Sequence, residues 1–359
     1  MNCHIIKADL LHHKREILSF WEKSSPWDVG LEEKYAWMYE HNPAGAAHIW
    51  LAIDNHSEVV IGMIALFPRK FRVDGNLFIG GIMGDLLVDK QYRNAEAAIL
   101  LHKAVVTAVE EGVIDFVYGF PNQTAESILK RVSYRLLGMQ TRLVLVLKVV
   151  PYLLVKYREW NENDGTLENV LKVLPSFFPL KSAGIYWWRK KKQQGSRFQT
   201  REVADFDQRF DLFWETAGIP KGFMGERTCE FLRFRFKNTP ERAYKILALF
   251  YKEQVKGYIV YCNVARSIEI CDFLFNGDPT GTDFLIQSLL QSAQRSNAMS
   301  ITLALLGDRM IETPFKGFGF VERPNRCPAY LYAAERMVSR FPFIIKPTEW
   351  LLLQSDNDL

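Results

Sequence analysis

Residues 85–101 carry the residue types and spacing that could bind a pyrophosphate. An apolar strand is predicted to end at Val88, a short polar turn follows it, and a helix is predicted to begin near Asn94. The free N–H groups of the first helical turn and the positive end of the helix dipole would then point at one place. The segment therefore predicts a phosphate-binding turn between a strand and a helix.

Two carboxylates interrupt otherwise apolar strands. Asp85 precedes Leu-Leu-Val, and Asp272 precedes Phe-Leu-Phe. A carboxylate in such a strand is either held by backbone or basic partners, or has a raised pKa and acts as a base. Asp85 is the candidate catalytic base, which would take a proton from an ammonium group, directly or through water. The alternative is a structural acid that both strands share.

A third polar feature follows the next predicted strand, residues 115–119. The sequence Pro121-Asn122-Gln-Thr-Ala125 leads into a predicted helix over residues 125–131. Asn is a favoured N-cap residue, so Asn122 is predicted to cap that helix.

These segments resemble the Gcn5-related N-acetyltransferases, the GNAT superfamily. That family has a strand followed by Gln/Arg-x-x-Gly-x-Gly/Ala, and the frame here reads Arg93-Asn94-Ala95-Glu96-Ala97-Ala98. The residues from Asn122 to Tyr134 resemble the later family motif Asn-x-x-Ala…Tyr-x-x-x-Gly-Phe. Two positions of that motif differ, because Leu129 replaces the tyrosine that protonates the departing thiolate and Ser133 replaces a glycine.

The resemblance implies acetyl-CoA, or another acyl-CoA, as cosubstrate and no metal. It implies that main-chain N–H groups at Leu87 and Val88 hold the acyl carbonyl, and that Asn122 and Ala125 face the pantetheine arm. The diphosphate would lie on the loop residues Arg93, Asn94, Ala95, Glu96, Ala97 and Ala98. Glu96 replaces a glycine, so it either repels the diphosphate or points outward as an ordinary acid of the first helical turn.

Several short patterns occur twice in the same order. Phe20-Trp21-Glu22 recurs as Phe213-Trp214-Glu215, and the strand at Asp85 recurs as the strand at Asp272. Two diverged copies of one domain explain this order. The second copy has a proline-containing loop, residues 276–282, where the phosphate frame would lie. It is predicted to have lost coenzyme binding and to shape the acceptor pocket.

The predicted fold class is α/β (α+β), with two tandem GNAT-like domains, each a mixed, mainly antiparallel twisted sheet flanked by helices. Residues 1–150 form the N-terminal domain, expected to bind acyl-CoA. Residues 151–201 form a helical, basic and aromatic connector, and residues 202–359 form a degenerate C-terminal domain. Predicted strands cover residues 49–53, 59–67, 70–72, 77–88, 245–251, 257–261, 267–275 and 300–306, with a hairpin at Gly75 and helices over 95–111 and 282–296.

Composition limits the function classes. The 359 residues are 48% apolar and 24% charged, as in ordinary folded proteins, and a net charge of +4 gives no strong nucleic-acid signal. Five cysteines without paired spacing favour a reducing compartment, predicted to be the cytoplasm. The apolar stretch over residues 143–155 is too short to span a membrane. The basic run over residues 187–201 reads either as a solvated linker or as a surface for anionic lipid or nucleic acid.

The predicted function is acyl transfer from an acyl-CoA, with acetyl-CoA favoured, to an amine by direct attack on the thioester. The acceptor class is a small-molecule amine, with an amino sugar as one candidate, and the sequence carries no signal for an oligomeric state. Two alternatives stay open. One is a Fem-like transferase that uses aminoacyl-tRNA, and the other is a non-catalytic acyl-CoA-binding or scaffold protein.

Overall fold

The computed structural model describes residues 3–24, 30–92, 95–148, 197–217, 222–240 and 242–357. Its strands are β1 (Cys3–Ala8), β2 (His48–Asp54), β3 (Val60–Val73), β4 (Asn76–Val88), β5 (Phe116–Gly119), β6 (Arg135–Met139), β7 (Thr141–Val146), β8 (Phe198–Val203), β9 (Phe223–Gly225), β10 (Lys245–Tyr251), β11 (Gln254–Val264), β12 (Ser267–Phe275), β13 (Ser300–Leu305), β14 (Val321–Arg323), β15 (Pro328–Ala333) and β16 (Trp350–Leu351). Its helices are α1 (Lys14–Ser24), α2 (Leu31–Lys34), α3 (Ala95–Glu110), α4 (Gln123–Leu129), α5 (Gln208–Thr216), α6 (Cys229–Phe236), α7 (Pro279–Arg295), α8 (Arg309–Gly317) and α9 (Glu335–Arg340). A π-helical turn, Tyr35–Glu40, extends α2.

The strands form two sheets with the same pattern of connections. The first has the order β1-β2-β3-β4-β5-β15-β6, and the second has the order β8-β10-β11-β12-β13-β7-β14. In each sheet four antiparallel strands come first, and a parallel pair joined through a helix follows: β4 with β5, and β12 with β13. Two further antiparallel strands follow in each sheet, and the first sheet also includes β9, which pairs with β3, and β16, which pairs with β9. The predicted fold class, two mixed and mainly antiparallel sheets flanked by helices, is confirmed.

The two sheets exchange strands. β15, from the C-terminal part of the chain, lies between β5 and β6 of the first sheet. β7, from the N-terminal part, lies between β13 and β14 of the second sheet. A cut near residue 150 therefore separates strands that pair with each other. The two copies remain a prediction, which the matching strand order supports.

Strand β3 of the first sheet is longer than the sequence pattern predicts. We predicted separate strands over residues 59–67 and 70–72, whereas β3 runs through Pro68 without a break. The carbonyl of Pro68 accepts a hydrogen bond from Asn42 Nδ2 at 2.9 Å. Pro68 therefore directs its backbone away from β4, into the gap between the end of β2 and the short pairing of β3 with β9. A missing N–H costs no ladder hydrogen bond there.

Buried ionic contacts join the two sheets. Arg227 donates from Nε to Asp272 at 2.9 Å and from Nη1 to Asp356 at 3.0 Å, and Arg69 on β3 donates to Asp356 at 3.2 Å. All four side chains are almost fully buried. Burial raises the pKa of Asp272, whereas Arg227 and Arg69 outweigh burial and lower the pKa of Asp356. The C-terminal segment that carries Asp356 is thereby fixed against β3.

Candidate functional site

A cleft opens where β4 and β5 separate. The two strands pair only over Gly80–Ile82 and Phe116–Tyr118, and then diverge. The space between them has a volume of about 360 Å³. Its walls come from β4, from the β5–α4 connection and from the facing sides of α3 and α4. Main-chain groups at the end of β4 are therefore free of a neighbouring strand on this side.

A β-bulge changes which amides of β4 face the cleft. Ala65 pairs with Gly84 but Met63 pairs with Leu87, so β4 carries one extra residue opposite Ile64. Asp85 lies at this bulge with a left-handed φ of 47°, which Asp tolerates better than most residues.

The hydrogen bonds on either side of the bulge show the change. Before the bulge, the main-chain carbonyl of Ile79 accepts a hydrogen bond from the N–H of Asp115, on the β5 side. After the bulge, the N–H of Asp89 donates to the main-chain carbonyl of Ile61 on β3. Alternation along the strand then directs the N–H groups of Leu86 and Val88 toward the cleft, and that of Leu87 toward β3. Val88 is one of the two residues to which the resemblance assigned the acyl carbonyl, and that role stays a prediction. Leu86 takes the place of Leu87 as the second open donor.

The carboxylate of Asp85 already has partners. Lys34 Nζ lies 3.0 Å from Oδ1, and the Tyr39 hydroxyl donates to Oδ2 at 2.6 Å. Both side chains of the ion pair are less than a tenth exposed. Burial, and then the neighbouring Asp85 charge, raise the pKa of Tyr39 well above its ordinary value. These contacts favour the structural alternative for Asp85, an acid that fixes α2 and its π-helical extension against the bulge.

The predicted phosphate frame is partly described. Arg93 and Asn94 lie outside the described residues. Helix α3 begins at Ala95, as predicted within one residue, and the side chains of Ala97 and Ala98 are buried against the sheet. Burial, and then the charge of Glu96, raise the pKa of the Cys3 thiol at the start of β1. Glu96 is half-buried, and its charge is near enough to the start of β1 to influence that thiol.

Asn122 caps α4 as predicted. Its Oδ1 accepts a hydrogen bond from the Ala125 N–H at 3.0 Å, and both residues line the cleft. The side chain of Asn122 is exposed, whereas Leu129 at the end of α4 is 1% exposed and forms part of the cleft floor. The cleft thus brings Asp85, Leu87, Asn122 and Ala125 together, with Val88 at the adjoining end of β4.

The sequence analysis missed three parts of this site: Leu86, the Gly119-Phe120 turn and His102. His102 lies on α3 at the floor of the cleft and is 3% exposed. A histidine next to the apolar face of a predicted helix was the available signal. The bulge and the strand separation had no signal, since they arise from pairing between strands.

Comparison with family models gave no match, and neither did comparison with curated protein sequences. Solved structures do match. A conserved Enterococcus faecalis V583 protein of unknown function, proposed as an N-acyltransferase, has a TM-score of 0.62 and 12% identity over 94% of this chain and 74% of its own. A GCN5-related N-acetyltransferase from Anabaena variabilis has a TM-score of 0.62 and 13% identity over 92% of this chain and 72% of its own. Saccharomyces cerevisiae N-myristoyltransferase, solved with bound myristoyl-CoA, has a TM-score of 0.54 and 13% identity over 92% of this chain and 80% of its own.

The chain has the fold of the Gcn5-related N-acetyltransferases. In this fold the first sheet supplies the bulged strand and the helix that begins beside it, which are the parts that the sequence resemblance assigned to residues 85–101, together with the parallel neighbour β5. At 12–13% identity the likeness concerns the fold.

The second sheet has a GNAT-like cleft of its own. β12 and β13 pair over residues 267–270 and 300–303 and then separate, leaving about 640 Å³ lined mainly by apolar side chains such as Phe273, Phe275 and Leu351. The N-terminus of α7 is capped by the side chain of Asp278, whose carboxylate accepts a hydrogen bond from the Thr280 N–H at 2.9 Å. That N–H is therefore not free to bind a ligand. Pro279 supplies no N–H at the first helical position.

Asp272 of β12 corresponds to Asp85. It receives hydrogen bonds from Arg227, from the Tyr258 hydroxyl at 2.7 Å and from the Ser355 hydroxyl at 2.9 Å. It is fully buried. These contacts fit the alternative given for the two acids, a structural carboxylate that both strands share.

Two searches of the described residues gave negative results. No group of three side chains there is arranged to hold a metal ion. No helix among them is long and apolar enough to cross a membrane. The predicted basic connector over residues 151–201 lies outside the described residues up to residue 196, and its last residues form part of β8.

Proposed function

We propose that the protein transfers an acyl group from acyl-CoA, with acetyl-CoA as the first candidate donor, to the nitrogen of an amine. One observation carries the proposal: the bulge in β4 directs two main-chain N–H groups, those of Leu86 and Val88, into the cleft where β4 leaves β5. Two convergent amide donors suit a thioester carbonyl that becomes an oxyanion when an amine attacks it.

The coenzyme would lie along the cleft. Its pantetheine arm would pass Asn122 and Ala125, and its diphosphate would meet the start of α3, where the Arg93 frame lies in the sequence. Helix N-termini attract phosphate through free N–H groups and the helix dipole. For Glu96 we adopt the alternative in which its carboxylate points outward from the first helical turn, because its charge also influences the Cys3 thiol of β1.

The amine would approach from the opposite face, which the second half of the chain covers. Tyr118 of β5 donates to the main-chain carbonyl of Asp356, so the C-terminal segment lies directly behind the strand that forms the cleft. We therefore assign residues 202–359 to the acceptor side and residues 1–150 to the coenzyme side, in a protein that works in the cytoplasm. A small amine, including an amino sugar, is the proposed acceptor class.

The test measures thiol release from acetyl-CoA in the presence of a panel of primary amines that includes amino sugars. Ala125→Trp, which fills the cleft from α4, is the matched inactive control. Amine-dependent thiol release by the natural protein, absent in Ala125→Trp, supports the proposal. Release that persists unchanged in Ala125→Trp would place the reaction elsewhere.

A non-catalytic acyl-CoA-binding protein is the second candidate, and one observation favours it. Among the residues that the structure describes, the titratable side chains that line the cleft are Asp85, which is paired with Lys34, and His102, whose pKa burial lowers to about 4. Leu129 also replaces the tyrosine that the resemblance assigns as the general acid for the departing thiolate. Coenzyme binding without thiol release across the amine panel would select this function.

A further inference from the structure

Met83 lies at the point where the two strands of the first cleft begin to separate. The last pair that β4 and β5 form is Ile82 with Tyr118, so Met83 and Gly119 are the first residues of the two strands beyond the pairing. A Cβ atom on Gly119 would lie 3.0 Å from Cε of Met83 and 3.3 Å from its Cβ. The Met83 side chain therefore lies across the gap, against the main chain of β5, in space that a side chain at position 119 would take.

Met83 is the apolar side chain that a molecule at this deep end of the cleft would meet. Ile64 and Leu129 also line the floor, but they are only 0% and 1% exposed. Met83 lines the cleft and is 8% exposed, so part of its surface is open to a ligand. Contact with an acyl chain would bury this remaining surface.

The surroundings of the two open amides direct a hydrocarbon chain toward Met83. In the proposed function the thioester carbonyl binds the N–H groups of Leu86 and Val88. On the α2 side of β4, Asp85 and Lys34 form an ion pair whose side chains are less than a tenth exposed. A hydrocarbon chain on that side would remove the remaining water from the ion pair, whereas a chain that runs toward Met83 contacts apolar side chains.

The distance along β4 limits the length of such a chain. Met83 precedes Leu86 by three residues, which span about 10 Å of strand. One van der Waals contact with Met83 takes about 4 Å of this distance. The remainder, about 6 Å, accommodates about four carbon atoms at about 1.5 Å per bond.

We propose that the cleft accepts short hydrocarbon acyl groups, from acetyl to butyryl, and that Met83 is the specificity-determining residue that sets the upper limit. The inference rests on the proposed function and adds the acyl class to it. A longer chain would have to push the Met83 side chain off Gly119 and into a close-packed core, which is unfavourable. A smaller side chain at position 83 would extend the cleft toward the paired part of the two strands.

The test is a calorimetric titration with free CoA and with acetyl-, butyryl-, hexanoyl- and octanoyl-CoA, which needs no acceptor. In the natural protein, each CH₂ added up to butyryl should tighten binding by up to about four-fold, the contribution of one buried CH₂. Hexanoyl- and octanoyl-CoA should then bind at least about ten-fold more weakly than butyryl-CoA, because they overpack the deep end.

Three variants test whether Met83 sets the limit. Met83→Ala should bind hexanoyl-CoA at least as tightly as butyryl-CoA and should bind free CoA as the natural protein does. Met83→Val is a milder truncation, which should shift the preference in the same direction with a smaller loss of packing. Met83→Leu conserves the volume and should keep the natural order of affinities. Thermal unfolding of each variant checks that the fold is kept.

Three results would overturn the inference. The first is a natural protein that binds octanoyl-CoA as tightly as butyryl-CoA, since no upper limit would then exist. The second is an unchanged order of affinities in folded Met83→Ala and Met83→Val proteins, which would place the limit at another residue. The third is an affinity for free CoA that no acyl group changes, which refutes this inference alone. Failure to bind free CoA and every thioester refutes the proposed function as well.

Discussion

The two clefts of the molecule are built from the same arrangement of strands, but the helix starts that border them differ. Each lies where a parallel pair of strands separates, and each adjoins a strand with one extra residue near an aspartate, Asp85 or Asp272. The second cleft is the larger, at about 640 Å³ against about 360 Å³. Its helix start is capped by the Asp278 carboxylate and begins with Pro279. Size therefore does not identify the coenzyme site.

The difference shows what a phosphate site requires. A helix start attracts diphosphate through free N–H groups, and a carboxylate that already binds one of them both occupies a donor and repels the ligand. The second cleft has this defect at the start of α7. This difference favours the first cleft for the coenzyme binding that we propose.

The largest expected difference concerns the two aspartates. Asp272→Ala leaves Arg227 buried without one of its carboxylates and should lower the free energy of unfolding by about 3–5 kcal/mol. Asp85→Ala removes a less buried pair and should cost about 1–3 kcal/mol. Urea unfolding followed by tryptophan fluorescence measures both. Equal losses would mean that the two strands are held in the same way.

A second prediction separates neighbouring amides of β4. Val88→Pro removes an N–H that faces the cleft and should weaken acetyl-CoA binding about ten-fold while the protein stays folded. Leu87→Pro removes an N–H that faces β3 and should destabilise the fold instead. Calorimetry and circular dichroism distinguish these effects. Normal coenzyme binding by a folded Val88→Pro protein would contradict the orientation derived from the bulge.

The smallest effect is expected at Glu96. Glu96→Gln should change the affinity for acetyl-CoA less than about two-fold, because we expect its carboxylate to point outward from the first turn of α3, one of the two orientations that the sequence left open. Titration at low and at physiological salt tests this. A several-fold tighter complex at low salt would show that Glu96 opposes the diphosphate.

Local patterns predicted most of the elements. Alternating apolar residues gave β2, β4, β10 and β12 closely, positive-φ residues at Asp74 and Gly75 form the predicted hairpin, and Asn122 caps α4. Each of these depends on residues that are neighbours in the chain.

The remaining features depend on partners that are distant in sequence. The exchange of β7 and β15 and the continuity of β3 through Pro68 follow from which strand edges are left open. The partners of Asp85 come from α2 and its π-helical extension, about fifty residues earlier in the chain. No periodicity encodes such pairings, so Leu86 became visible as a site residue only in three dimensions.

The most direct test of the central assignment is a calorimetric titration with acetyl-CoA of three proteins: the natural chain, Ala125→Trp and Thr313→Trp. Ala125 on α4 lines the first cleft and Thr313 on α8 lines the second, so each tryptophan fills one cleft. We predict one site per chain, lost in Ala125→Trp and unchanged in Thr313→Trp. Binding that survives Ala125→Trp and is lost in Thr313→Trp, or no binding by the natural chain at millimolar ligand, would contradict the assignment.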